Sequence, residues 1–265
     1  MKEISAVIIT KNEERNIERC IISLKGVADE IIVVDSYSTD KTVDICNRLG
    51  VTFVEHVFED YASQKNYGNS LTKYPYILSL DADEALSLDL RKSIQQWKKD
   101  GEADVLKVNR LTNFCGDWVK HGGWYPDAKY RLFDKTKARW AGEKVHEYLE
   151  IDKNAIIGKL EGDLLHYSFY TIEQHLSTIN KFSTLKAEIS FDKGKKSNLF
   201  KTLAAPGFKF LKIYMLKGGF RDGWRGFVIA KNSAYSDFLK QTKLKQLEVE
   251  KKAADDAEKQ EGKEW

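Results

Sequence analysis

The sequence has 265 residues, 42% of them hydrophobic and 31% charged, so the chain can form one large domain with an appendage or two small domains. The formal net charge of +3 is too small to indicate a nucleic-acid partner by itself. The three cysteines are widely spaced and form no metal-ligand pattern, which favours a reducing compartment. No apolar stretch approaches the ~20 residues of a spanning helix, so we expect a soluble or peripheral protein.

The first hundred residues alternate between short apolar runs and segments with helical spacing. The runs are typical of strands buried on both faces of a sheet, and they lie at 4–10, 30–34, 51–57 and 76–81. A helical pattern follows each run, with Asn12 as a candidate cap for the first helix and Ser87 for the fourth. This alternation predicts a parallel, doubly wound sheet with right-handed crossovers.

The pattern changes after Gly101. Four further strand candidates lie at 105–111, 130–133, 145–151 and 160–167. A loop rich in glycine and aromatic residues, from 116 to 126, interrupts them, and long loops are uncommon unless they are functional. Helical patterns follow at 171–189, 199–216 and 223–239. From Lys240 the charges are mixed and apolar residues are few, which predicts a frayed helix or a disordered tail.

Acidic side chains stand where the predicted parallel strands end. Asp81 and Asp83 follow the fourth strand two residues apart, so an extended chain points both to the same side. Carboxylates crowded in this way repel unless a cation lies between them, and hard oxygen ligands suit magnesium or manganese. The alternative is a solvated turn. Asp35 ends the second strand, where it can bind a ligand or cap the following helix.

The same edge of the sheet also receives Thr10, Asn12 and Glu13 from the first strand. Such carboxylates can accept hydrogen bonds from a nucleoside, and a metal bound among them can neutralise a diphosphate. This combination predicts a binding site for a nucleotide diphosphate. The Gly-x-Gly-x-x-Gly fingerprint and the P-loop are both absent, which argues against dehydrogenases and P-loop enzymes.

Three ordered motifs carry a specific resemblance: Ala6 to Ile17, Ile31 to Thr42, and Asp81-Ala82-Asp83. Together they resemble the family-two inverting glycosyltransferases of GT-A fold. Three further segments are similar to the branch that contains lipopolysaccharide-core β-1,4-glucosyltransferases acting on heptose, namely Ala62 to Tyr67, Tyr130 to Phe133, and Val145-His146-Glu147. The resemblance covers about residues 4 to 240.

The resemblance implies a nucleotide-sugar donor with a UDP-linked hexose, a divalent Mg or Mn ion, and inversion at the anomeric carbon. By position, it implies that the nucleoside is held by Thr10, Asn12, Glu13, Asp35 and Lys65. Asp81 then faces the ribose and sugar, and Asp83 binds the metal. The resemblance suggests His166 as a further metal ligand, with a structural histidine as the alternative. It also implies a GT-A catalytic domain at 1–191, divided into a nucleotide-binding half at 1–100 and an acceptor half at 101–191.

One-step inversion requires a base on the face of the sugar opposite the diphosphate, to take the proton of the acceptor hydroxyl. The base should therefore come from the second half of the domain. Glu147 matches the family segment and is the first candidate, Glu143 is the second, and Asp127 is the third. The alternative for His146-Glu147 is an exposed strand pair. Arg131 can bind phosphate or form a surface ion pair, and Trp118, Trp124 and Tyr125 can stack on sugar rings or pack in the core.

The segment 192–242 is predicted to be a basic, aromatic helical appendage, and 243–265 is predicted to be a charged, flexible tail. From Lys193 to Lys231 there are ten Lys or Arg residues and a single acid, Asp222. This composition is typical of an interfacial membrane binder, with packing on the catalytic domain as the alternative. We expect peripheral contact with an anionic membrane at its cytoplasmic face, a glycan or lipid-linked acceptor of the cell envelope, and no nucleic-acid partner.

Two other functions compete with glycosyl transfer. A sugar nucleotidyltransferase shares a similar sheet and metal chemistry, but it would need a glycine-rich phosphate loop near the N-terminus, and Lys11 to Glu14 contains no glycine. A non-catalytic nucleotide-sugar binding module would lack the base. The presence of Asp81, Asp83 and Glu147 weighs against that interpretation.

Overall fold

The computed structural model describes residues 1–142 and 147–261, with side chains as far as Asp256. Two compact units are present. The first contains residues 1–112 and 126–168, and the second contains residues 113–125 and the chain from 169 onward.

The first unit contains a parallel half-sheet with its acidic edge where the sequence predicts it. Strand β1 (Ile4–Thr10) is buried along its whole length and lies between β2 (Glu30–Asp35) and β4 (Tyr76–Asp81), parallel to both. Strand β3 (Thr52–Glu55) pairs with β2 in parallel. In this register Thr10 lies beside Asp35, and Ile9 lies beside Asp81. The carboxyl ends of the three central strands therefore meet at one edge.

Three helices connect these four strands: α1 (Ile17–Leu24), α2 (Thr42–Leu49) and α3 (Tyr61–Ser70). A fourth helix, α4 (Leu88–Asp100), follows soon after β4. Ser87 caps α4 as predicted, because its hydroxyl accepts a hydrogen bond from the Leu90 amide at 3.2 Å. The prediction that Asn12 caps the first helix is wrong. Asn12 has a positive φ of 54°, and α1 begins only at Ile17.

Antiparallel strands complete the sheet. They are β5 (Glu84–Leu86), β6 (Val105–Phe114), β7 (Asp117–Val119), β8 (Asp127–Asp134) and β11 (Ile157–Phe169). Strand β8 lies between β4 and β6 and is antiparallel to both, while β5 is antiparallel to β11. A separate hairpin joins β9 (Ala138–Ala141) to β10 (Tyr148–Ile151). Of the strand predicted at 145–151, residues 145 and 146 lie outside the described part, and the observed strand begins at Tyr148, one residue after Glu147.

Alternate residues of β1 pack on opposite faces of the sheet, as an extended chain requires. Ile4, Ala6 and Ile8 belong to the core that contains the inner faces of α1 and α4. Val7 and Ile9 belong to the core on the other face. Helix α3 lies directly on this second face: a Cβ on Gly68 would stand 2.4 Å from a Val7 methyl group, so no larger residue fits there.

Most of the second unit is helical. Helix α5 (Ile172–Asp192) begins at a capping box formed by Thr171 and Gln174. Helix α6 (Leu199–Leu211) continues into one π-helical turn, Lys212–Leu216, and a short 3₁₀ turn, Gly219–Asp222, leads into α7 (Gly223–Glu261). In the described part of the chain no helix is both long and apolar enough to span a bilayer.

The segment beyond Lys240 is helical, which is one of the two predicted alternatives, because α7 extends as far as Glu261. Two features hold this part of α7 against α5. Leu244 is buried, and the Lys243 ammonium donates hydrogen bonds of 2.7 to 2.9 Å to Asn180, Ser183 and Thr184. These contacts join residues about 60 positions apart, so local composition does not reveal them.

We predict a pH-dependent stability of the second unit from His175. Burial lowers the pKa of this imidazole to about 4, below its ordinary 6.5. Between these two values the unfolded chain binds a proton that the folded chain does not, so stability decreases as the pH falls from about 6.5 to 4. The decrease should total ~3 kcal/mol.

Chemical unfolding at pH 7 and pH 4.5 will measure this effect. The variant His175→Gln keeps a polar partner for Asn232, whose amide lies 3.1 Å from the ring, and it removes the titration. Equal acid sensitivity in the wild type and the variant would contradict the prediction.

Candidate functional site

The strand-end loop brings a carboxylate and an imidazole together. After β4 ends at Asp81, the chain turns through Asp83 into β5, where Glu84 lies opposite His166 of β11. The Tyr167 amide donates to the Asp83 carbonyl at 2.9 Å, which fixes the turn. As a result, His166 Nε2 lies 3.1 Å from Asp83 Oδ2.

The donors of this pair fit a divalent metal. A carboxylate oxygen and an imidazole nitrogen can both bind Mn²⁺, and such an ion commonly takes its remaining ligands from water and a diphosphate. Within residues 1–142 and 147–261, no cluster of three or more His, Cys, Asp or Glu side chains is arranged around one metal position. Asp83 and His166 would therefore hold the ion as two protein ligands, and the others would come from the donor.

A continuous chain of alternating charges runs beside this pair. It contains, in spatial order, Asp127, Arg110, Glu84, Arg131, Asp81, Lys65 and Glu147. The closest contact is 2.7 Å, between Arg131 and Glu84, and the longest is 3.7 Å, between Arg110 and Glu84. We call this the charge chain. Every interior member contacts an opposite charge on each side, which is how buried charges are tolerated.

The cations of the charge chain control the ionisation of Asp81. Burial alone would raise the pKa of its carboxyl, but Lys65 and Arg131 outweigh burial and hold the pKa well below its ordinary value. One Asp81 oxygen accepts a hydrogen bond from Arg131 at 2.9 Å, and the other lies at ion-pair distance, 3.3 Å, from Lys65. Arg131 is almost fully buried, so the alternative of a surface ion pair for this residue is wrong.

Helix α3 supplies three consecutive polar side chains to the site. Gln64 donates to Ser36 at 3.1 Å and lies 2.8 Å from the His56 ring. Lys65 is only 1% exposed and contacts Asp81 and, at 3.5 Å, Glu147. Asn66 makes two hydrogen bonds to the backbone of Trp140 in β9. These three side chains thus attach the helix to the residues that directly follow β2 and β3, to Asp81 at the end of β4, and to the β9–β10 hairpin.

Three of the predicted nucleoside residues, Thr10, Asn12 and Glu13, lie at the end of β1 and directly after it. Asn12 accepts a hydrogen bond from the Thr39 amide at 2.8 Å, and its own amide donates to Ser38 at 2.7 Å. Burial raises the pKa of Glu13, opposed by a hydrogen bond from Asn16 and reinforced by the charges of Asp83 and Asp40. Thr10 Oγ1 is buried without a hydrogen-bond partner among the described residues, as a group reserved for a ligand would be.

Asp35 has a local structural role. Its two oxygens accept 2.6 Å hydrogen bonds from the amide and the hydroxyl of Ser38, and the residue is fully buried. These bonds fix the loop that holds Asn12. A direct contact between Asp35 and a nucleoside stays a prediction.

The candidate bases differ in their surroundings. Glu147 lies just before β10, is partly exposed, and contacts only Lys65 within the charge chain. Asp127 is bound by Arg110 at 2.8 Å and Lys129 at 3.0 Å. Burial would raise the pKa of Asp127, but these two cations lower it, which makes Asp127 a weak base. Glu143, like His146, lies outside the described residues.

Sequence reasoning missed three residues near the site. Glu84 is buried and binds both Arg131 and the Asp81 amide, and Arg110 connects Glu84 to Asp127. Burial raises the pKa of the Tyr61 hydroxyl, and the negative charges of Asp81, Glu147 and Asp83 raise it further. The sequence signal that could have identified Glu84 as a site residue was its position directly after Asp83. By contrast, Trp124 packs edge-on against Phe114 and His175, which supports the packing alternative for this residue. Stacking of Trp124 on a sugar ring stays a prediction.

These features are those of an α/β domain whose parallel strands end in a cation-held acidic site. Residues 5–157 match the model of a known family, described as glycosyl transferase family 2. An uncharacterized glycosyltransferase of Rickettsia typhi is 34% identical over 260 residues, covering 94% of this chain and 89% of that protein. The chain belongs to glycosyl transferase family 2, and its fold is the GT-A α/β arrangement that the motifs predict.

Another relative has a more informative name. The lipopolysaccharide core biosynthesis glycosyltransferase LpsC of Rhizobium meliloti is 31% identical over 251 residues, covering 92% of each chain. Among solved structures, S. aureus TarS (residues 1–349) is similar over 88% of this chain and 90% of that one, with a TM-score of 0.47 and 13% identity. Mycobacterium tuberculosis glucosyl-3-phosphoglycerate synthase, in complex with Mn²⁺ and UDP, is 22% identical over 42% of this chain and 44% of its own, with a TM-score of 0.35.

Proposed function

We propose that this glycosyltransferase moves a hexose from a nucleotide-diphosphate sugar, most simply a UDP-hexose, to a glycan or lipid-linked acceptor, with inversion. The observation that carries the proposal is the charge chain. It joins Asp81, which would face the sugar, to Glu147, a carboxylate outside the Asp81–Asp83 loop, through the buried cation Lys65, which contacts both. A donor-side carboxylate and a candidate base are thus held in one site beside the Asp83–His166 pair.

The two carboxylates have different tasks. Asp81 is held ionised by Lys65 and Arg131, so it can accept hydrogen bonds from donor hydroxyls but is a poor proton acceptor. Glu147 forms an ion pair with Lys65 among the described residues and is partly exposed, so an acceptor hydroxyl can approach it. Glu147 takes the proton as that oxygen bonds to the anomeric carbon and the bond from this carbon to the diphosphate breaks. A divalent ion bound by Asp83 and His166 would supply charge neutralisation on the departing diphosphate.

The acceptor is proposed to belong to the cell envelope, in lipopolysaccharide-core or related polysaccharide synthesis. The support for this is the relative LpsC, which matches over nearly its whole length, and the basic composition of the second unit. A protein acting on such an acceptor would work at the cytoplasmic face of the membrane, in peripheral contact with anionic lipid.

A donor screen tests the proposal. The protein, with Mn²⁺ or Mg²⁺, is incubated with a panel of UDP-, GDP- and ADP-linked hexoses, and release of the nucleoside diphosphate is followed with and without a heptose-containing core acceptor. We expect one nucleotide class to be hydrolysed slowly, chelator to stop the hydrolysis, and the acceptor to accelerate it. Release of pyrophosphate from a nucleoside triphosphate and a sugar phosphate would instead identify a nucleotidyltransferase. Binding of a nucleotide sugar with no turnover under any condition would identify a binding module.

A further inference from the structure

Helix α6 and its π-helical turn present an uncovered apolar face. Six large side chains along them are between 55% and 78% exposed: Phe200, Leu203, Phe208, Leu211, Met215 and Leu216. In the α-helical part, positions 200, 203, 208 and 211 fall on one side of a helix with 3.6 residues per turn. We call these six residues the apolar stripe. An isolated exposed leucine is ordinary, but a contiguous apolar face of this kind marks a contact surface.

Lysines flank the apolar stripe in a regular way. Lys201, Lys209, Lys212 and Lys217 each follow a stripe residue directly. In an α-helix each residue lies about 100° further around the axis than the one before it, so Lys201 and Lys212 border the apolar face rather than interrupt it. Lys209 lies on the opposite side of α6, where it pairs with Asp237 of α7 at 3.5 Å. This pattern is typical of a helix that lies in a membrane interface, with hydrocarbon below the apolar face and headgroups beside the lysines.

The lysines also line a cavity at the end of the stripe. A cavity of about 240 Å³ lies between the loop at 122–124 and the lysines at 209, 212 and 217. Gly123 makes room for it, since a Cβ there would stand 2.5 Å from the Lys217 ammonium. Lys209 lies 3.5 Å from Asp237, whereas no carboxylate of the described residues lies within ion-pair distance of Lys212 or Lys217. The cavity therefore suits an anionic phosphate group.

We propose that the apolar stripe inserts into an anionic bilayer and that the lysine-lined cavity receives a lipid phosphate group. The inference deepens the membrane contact of the proposed function by identifying the surface that makes it. A second copy of the chain is the other partner that an apolar face suggests. Pairing two stripes would, however, bring their flanking lysines together, and like charges repel in that arrangement. Anionic lipid satisfies the apolar face and the lysines at the same time.

Insertion predicts a salt-resistant part of binding in addition to electrostatic attraction. The protein is sedimented with vesicles of phosphatidylcholine, with and without phosphatidylglycerol, at low and high salt. We expect strong binding only to anionic vesicles, and partial retention at high salt because apolar contacts are not screened. The double variant Phe200→Gln/Phe208→Gln should bind at least about tenfold more weakly at both salt concentrations. The double variant Lys212→Gln/Lys217→Gln should lose about fivefold for each lysine, mainly at low salt.

Matched controls lie in the first unit. Leu88 is 70% exposed and Lys99 is exposed, both on α4, so Leu88→Gln and Lys99→Gln should bind vesicles like the wild type. Circular dichroism will verify that all variants keep their helices. Equal binding by the wild type and the phenylalanine variant, or complete release of the wild type by salt, would overturn insertion. A wild type that ignores vesicles and forms a dimer lost in the phenylalanine variant would identify a second copy as the partner.

The same variants separate this inference from the proposed function. Donor hydrolysis in the absence of membrane should be unchanged in all four variants, because none of the replaced residues belongs to the charge chain or to the Asp83–His166 pair. Vesicle binding without any donor turnover would leave the membrane surface standing and contradict the proposed reaction.

Discussion

Asp83→Asn is expected to abolish metal-dependent donor binding and to reduce sugar transfer at least ~10³-fold. The substitution keeps the size and one oxygen of the side chain but removes the negative charge that the ion needs. A metal ion at a leaving diphosphate contributes several kcal/mol of transition-state stabilisation, and each 1.4 kcal/mol is a factor of ten in rate. Calorimetric titration of the nucleoside diphosphate, with and without Mn²⁺, measures the binding part of this prediction.

A matched control is Asp89→Asn on α4, where the carboxylate is largely exposed and forms an ion pair with Lys92. This variant should keep wild-type affinity in Mn²⁺. The variant His166→Ala should weaken the metal effect if His166 completes the metal shell. A folded Asp83→Asn protein with unchanged affinity in Mn²⁺ would contradict the metal assignment.

Glu147→Gln is expected to slow transfer by ~10²–10⁴-fold while donor affinity hardly changes. Glutamine preserves the size of the side chain and removes the proton acceptor, and a general base contributes about this factor. The proposed donor contacts are those of Asp81 and the strand-end loop, which the substitution leaves in place. Steady-state kinetics with donor and acceptor varied separately will distinguish a loss in kcat from a rise in KM.

Glu150→Gln is the control, since Glu150 lies three residues further along, in β10, and forms an exposed pair with Arg139. Glu143→Gln tests the second candidate. If that variant is inactive and Glu147→Gln is not, the base is Glu143 and the mechanism is otherwise unchanged. Full transfer by both variants, with loss only in His146→Ala or Asp127→Asn, would overturn the placement of the acceptor side.

Much of the first half of the fold could be predicted because its signals are local. An apolar run such as Ile4–Thr10 is buried on both faces, so its sequence indicates a central strand without reference to any neighbour. The position of Asp81 follows from the same signal, since it ends such a run. The short strands β5 and β9 were missed because neither has an apolar run of its own, and each forms only through its partner.

The contacts around the site were less predictable because they join distant parts of the chain. Arg131 reaches Asp81 across 50 positions, and Lys65 reaches Glu147 across 82, only after β8 and the hairpin have packed beside β4 and α3. The wrong prediction for Asn12 has a different cause, because a local signal was present but was ambiguous. Asparagine suits both a helix cap and a left-handed conformation, and the choice was made by Thr39 and Ser38 in another loop.

The charge chain also restricts how this enzyme can diverge. A substitution that removes one interior charge, such as Glu84→Gln, leaves two neighbouring arginines without their shared counter-ion. Such a site tolerates change most easily when an adjacent acid and base are replaced together, or exchanged in order. Asp127 is the partly exposed end of the charge chain. A substitution there can therefore change the electrostatic potential at Asp81, through Arg110, Glu84 and Arg131, without contacting either substrate. In laboratory evolution toward new donors, we expect substitutions in the charge chain to occur in pairs, each replacing an acid together with its neighbouring base.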